Sequence, residues 1–161
     1  MRAGTVNYHE KEVIRMIQNI LKWGGVLLLL IAAIHDIRRR TVPRWMLAAA
    51  GALSAAAVTA GLLSGSTSPV YLAFALLPGI LLLSLSFLSG EGIGYGDGLM
   101  GLCIGPVFGA EAMAAGICMA FFSSALLSAV LLVLRRADRK TRLPFIPFLA
   151  AAMGGVCVVL G

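Results

Sequence analysis

Histidine, cysteine and charge are all scarce in this chain. Of its 161 residues two are His and three are Cys, and only 12% are charged. Cys103, Cys118 and Cys157 each sit alone inside an apolar run, with no Cys-x-x-Cys spacing and no histidine cluster nearby. The usual zinc and disulfide frameworks are thereby excluded, and the three thiols are expected to pack as small hydrophobic groups. No metal and no cofactor is expected. The thirteen Lys and Arg form no basic face interleaved with aromatics, which gives no support to nucleic-acid binding. A cleaved signal peptide is not expected either: the first apolar run, Trp23 to Ile34, has no small-x-small pattern before His35-Asp36.

What is abundant is apolar side chain, at 60% of the residues. A soluble domain of this size cannot cover that much with polar surface, so the composition predicts an all-α, polytopic membrane protein with the lipid bilayer as its solvent. The chain divides into a polar, amphipathic lead-in over 1–19 and a membrane domain over 20–161. In the lead-in Val13, Ile14, Ile17, Ile20 and Leu21 recur at helical spacing, which fits an interfacial helix or an extension of the first span. Met16 offers a second possible start, since the residues after it read as a complete membrane-protein beginning. About six spans are expected, over roughly 20–35, 44–63, 70–88, 99–110, 112–134 and 144–161. Ser64 to Pro69 is a turn by composition, and Ser89 to Gly98 is a glycine-rich connection.

The charges orient these spans. With the 36–44 and 135–142 loops in the cytoplasm, nine of the thirteen basic residues lie inside and only those at 2, 11, 15 and 22 lie outside. The positive-inside rule therefore favours both termini outside. In that topology Asp36 and Asp97, in Gly94-Tyr95-Gly96-Asp97-Gly98, lie on the same, cytoplasmic side. Depth agrees: Lys22 to Asp36 and Asp97 to Glu111 are each fourteen residues, roughly 21 Å of helix against a hydrocarbon core of about 30 Å. Gly101, Gly105 and Gly109 repeat every four residues and predict close packing of the fourth span on a neighbour, holding Asp97 at a fixed distance from the first span.

Acids at membrane depth are costly and are functional candidates for that reason. Singly, Asp97 reads as an N-cap of the fourth helix and Asp36 as a partner of the adjacent arginines. Together they suggest a dyad. Two carboxylates within hydrogen-bond reach in a low-dielectric site share a proton; one then acts as general base on a water while the other donates to the scissile carbonyl oxygen. No Ser, Cys or Lys nucleophile with a base stands elsewhere at that depth, and His35 reads as an interface residue beside Asp36, with a role as base the alternative.

Three stretches resemble the type IV prepilin peptidases, which with the archaeal preflagellin peptidases form the Gly-x-Gly-Asp membrane aspartyl proteases. Asp36 followed by Val42-Pro43 is similar to the first catalytic motif, and Gly94-Tyr95-Gly96-Asp97 to the second. Pro144-Phe145-Ile146-Pro147-Phe148-Leu149 resembles the stretch that opens the family's last span. The resemblance covers about residues 22–160. It implies an aspartic-type endopeptidase with Asp36 and Asp97 catalytic and Gly94, Gly96, Pro43, Pro144 and Pro147 positioning. It further implies a prepilin or pseudopilin substrate, whose basic leader is removed at the cytoplasmic edge of the cell membrane. The family often has Asn where Arg44 stands, and usually Lys where Leu99 stands. The short basic loop between the first two spans lacks the cysteine-rich insertion of larger members, which implies a peptidase-only form. A non-catalytic pilus-assembly scaffold, to which Leu99 points, and a small proton-coupled transporter are the alternatives; the latter requires acids spread along a path across the membrane.

Overall fold

The computed structural model describes residues 8–39, 42–65, 67–88, 94–134 and 145–160. The 89–93 connection, Pro144 and the basic loop 135–142 lie outside the described residues. Among the described residues six helices run in order: α1 (Tyr8–Arg39), α2 (Arg44–Leu63), α3 (Pro69–Leu88), α4 (Tyr95–Phe108), α5 (Ala110–Val133) and α6 (Ile146–Leu160). Four of them contain segments long and apolar enough to cross a membrane: Glu12–Arg39, Arg44–Leu63, Pro69–Leu88 and Ala110–Val133. The chain is an all-helical, polytopic membrane protein.

The lead-in and the first span form one helix. α1 has 32 residues, about 48 Å at 1.5 Å per residue, and ends on Arg38 and Arg39, whose charges complement the negative end of its dipole. Pro43 starts α2: its φ of −70° is already near the helical value, and its carbonyl accepts the Met46 N–H at 3.0 Å. At the far end of α2, Gly65 takes a left-handed φ of 64° and reverses the chain.

α4 is the hub of the bundle and packs against α1, α2, α3 and α5. From Gly96 to Phe108 none of its residues is exposed. A helix apolar on all sides demands such enclosure. It is also short: 14 residues give about 21 Å, less than the hydrocarbon thickness of about 30 Å. Gly109 ends it with φ 84° and ψ 166°, a conformation that favours glycine, and α5 begins at once. The core around α4 is made of Leu29, Met46, Leu82, Met100, Ile104, Met113, Ile146, Leu149 and Met153, all fully enclosed. Leu81, Phe87, Phe122, Leu126 and Val133 instead face outward, as lipid-facing side chains must.

The glycines of α4 do not all serve the face that their spacing suggests. Gly98, Gly101 and Gly105 turn towards α3, where added Cβ atoms would meet the Leu83 α-carbon at 2.8 Å, Leu82 Cδ2 at 3.0 Å and the Ala75 carbonyl oxygen at 2.6 Å. Gly79 on α3 answers them, its missing Cβ lying 2.5 Å from the Leu102 α-carbon. The close neighbour is therefore α3, while the Phe108 ring of α4 covers Gly25 of α1. Gly109 belongs to the helix break, under the Tyr71 hydroxyl, and not to the packing stripe.

Candidate active site

Helix alternation brings the C-terminal ends of α1 and α3 together with the N-terminal ends of α2 and α4, and the start of α6 lies beside the middle of α5. Asp36 stands in the last turn of α1 and Asp97 in the first turn of α4, each only 6% exposed. Their like charges act on one another. Two residues sixty-one positions apart thus share one enclosed place, at the end of the bundle that also carries Arg38, Arg39 and Arg44.

The local geometry of Asp97 differs from an N-cap. Gly94 holds that position, with φ −63° and ψ 131°, and accepts the Asp97 N–H at 3.0 Å. Asp97 is the third helical residue, and its carboxylate turns back onto the Gly94 N–H, the reciprocal half of a capping box. A side chain at 94 would begin 3.2 Å from Asp97 Oδ2. A side chain here would require the carboxylate to give by a few tenths of an ångström, while the backbone conformation is one that any residue adopts. The fit is tighter at Gly96, where an added Cβ would lie 2.9 Å from Val42 Cγ2, and at Gly98 against α3. The glycine-rich stretch is a set of close approaches more than a tight turn.

Pro43 lies one residue beyond Val42, so the proline that starts α2 also restricts the backbone that carries the side chain resting on Gly96. Pro147 occupies the first turn of α6, where its missing N–H costs nothing. Beside it Phe145 accepts the N–H groups of Phe148 and Leu149 at 3.0 and 3.1 Å and sets its ring 4.9 Å from that of Phe121 on α5. Phe145, Ile146 and Leu149 are buried, which makes this stretch the dock of α6 on the bundle. Pro144 falls outside the described residues. Leu99, two residues beyond Asp97, is half-buried, as is His35 beside Asp36. Among the described residues no three His, Cys, Asp or Glu side chains come together in the way a metal ion requires.

Sequence reasoning missed Tyr71, whose hydroxyl closes over Gly109 at the far end of α4. An isolated tyrosine near the start of a span gives no signal of its own. Leu83 and Val42 were equally silent as the surfaces against which Gly98 and Gly96 fit.

No curated protein and no solved structure gave a match to the chain. The profile described as the type IV leader peptidase family matches residues 23–159, nearly the whole membrane domain and both aspartates. A polytopic helical bundle matched over that span belongs to the type IV leader peptidase family, a family of membrane peptidases.

Proposed function

We propose that the protein is an aspartic-type endopeptidase that removes the basic leader from prepilin or pseudopilin-like precursors. The observation that carries this reading is the placement of Asp36 and Asp97: two enclosed carboxylates, acting on each other, at one end of the bundle. In a site that excludes bulk water such a pair holds one proton between them. The ionised member takes a proton from a bound water as its oxygen attacks the scissile carbonyl carbon, while the protonated member hands its proton to the carbonyl oxygen. Collapse of the resulting diol breaks the C–N bond. The proton taken from water goes to the leaving amine, and the diol returns one to the carboxylate pair.

The basic residues Arg38, Arg39 and Arg44 at the same end support a cytoplasmic placement of the site in the inner membrane. A substrate helix standing in the bilayer with its leader inside would present its scissile bond at that depth. A glycine before the cut would help open the backbone there for attack.

The test is incubation of the purified protein with a pilin-type precursor carrying a basic leader. Cleavage by the wild type is expected, with a loss of about 10²–10⁴-fold or more in Asp36→Asn and in Asp97→Asn. Undiminished cleavage by either variant overturns the dyad. A wild type that cleaves no such precursor overturns the assigned substrate class and favours the scaffold reading.

A further inference from the structure

At the end of the bundle opposite the aspartates, a cleft opens between α1, α6 and the junction of α4 with α5. Asn19, Lys22 and Trp23, from one turn of α1, form its polar rim; Phe108, Ala112, Val156 and Cys157 form the apolar walls. Lys22 is half-buried, and its charge acts on the Cys157 thiol across the cleft. Lys22 is one of the lining residues, and none of the other lining side chains is acidic. Lys22 stands fourteen residues from Asp36, roughly 21 Å along α1, which sets it near the opposite face of a core about 30 Å thick.

An occupant must pair an anionic head with an apolar body. We propose that this cleft binds a membrane glycerophospholipid. Its phosphate is held by the Lys22 ammonium, with the Asn19 amide and the Trp23 indole N–H as further donors. The cleft is shallow, with a volume of about 30 Å³, so it seats the phosphate at its rim and leaves the glycerol and both acyl chains outside. The chains have a bed of their own on α1. Trp23, Leu27, Ile31 and Ile34 are all exposed, and their spacing places them in one stripe running from the rim towards the middle of the bilayer. Tryptophan at the top of such a stripe suits the headgroup level.

Native mass spectrometry of protein released from mild detergent tests this proposal. Three probes are added separately: phosphatidylglycerol, a diacylglycerol with the same chains, and glycerol phosphate. Phosphatidylglycerol is expected to remain bound, with the diacylglycerol held about tenfold or more weakly and glycerol phosphate not retained. Lys22→Glu should reduce phosphatidylglycerol retention about tenfold or more, while Lys22→Arg keeps it. Equal retention of phosphatidylglycerol and diacylglycerol by the wild type overturns the proposal. So does glycerol phosphate bound as well as the lipid, which would assign a soluble phosphate ligand. Unchanged retention in Lys22→Glu overturns it as well. If Lys22→Glu does not fold, the three wild-type arms decide alone.

Discussion

The Val42 side chain rests on the backbone of Gly96, so closely that a Cβ at 96 would stand 2.9 Å from Val42 Cγ2 and 3.1 Å from its Cβ. This contact ties the connection after α1 to the first turn of α4. It lies six residues after one aspartate and one residue before the other.

Gly96→Ala is therefore expected to destabilise the fold by about 1–3 kcal/mol through overpacking, and to depress cleavage of a precursor. Val42→Ala removes the obstructing methyls. In the double variant the Gly96→Ala cost should fall by more than half, which thermal unfolding in detergent reads directly as a coupling energy. Strict additivity would mean that the two residues do not meet.

Asp36→Cys combined with Asp97→Cys, in a background in which Cys103, Cys118 and Cys157 are replaced by alanine, should cross-link with short bifunctional thiol reagents. Mass spectrometry of the digested protein checks the bond. No product with short or long reagents would place the two positions apart.

Helical glycines should divide sharply by neighbour. Gly79→Ala drives a methyl against the backbone of Leu102, which has no rotamer to yield, and is expected to cost several kcal/mol or to prevent folding. Gly51 has nothing within 4 Å of its missing Cβ, so Gly51→Ala should leave stability unchanged or raise it by up to about 1 kcal/mol. Unfolding of the two variants side by side measures the contrast.

At Gly109 two penalties coincide, a left-handed φ of 84° and the Tyr71 hydroxyl 2.5 Å from the Cβ position. Gly109→Ala is expected to destabilise by about 1–3 kcal/mol. Adding Tyr71→Phe should recover only the steric part, because the φ penalty remains. Complete recovery in the double variant would show that the backbone conformation carries no cost.

Composition and the spacing of turn residues made the helices legible; α5 begins and ends close to where its apolar run does, but α4 begins at Tyr95, four residues before the expected start at Leu99, inside the stretch expected as a connection. The basic clusters made it legible that Asp36 and Asp97 share an end. The neighbour of α4 was not legible. A four-residue glycine repeat states that a helix can be approached, but any partner with a small or backbone surface satisfies it, and only Gly79, on a helix of otherwise ordinary apolar sequence, reveals that the partner is α3. The repeat also reads Gly109 as a packing glycine because spacing carries no information about φ. At Gly96, inside the stretch expected as a glycine-rich connection, the helix has already begun and the glycine makes room for Val42. A requirement for room and a requirement for an unusual conformation select the same residue.

The seam between α3 and α4 has a mechanical consequence. Backbone meets backbone at Gly79, Gly98 and Gly105, with only the Leu82 and Leu83 side chains beside the seam to absorb sliding. The two helices are coupled like a tongue and its slot, and Asp97 travels only when α3 travels with it. On the proposed function, admitting a peptide to the aspartates falls to the other walls, where the connection after α1 meets the start of α4 through a side chain, Val42, and not through backbone.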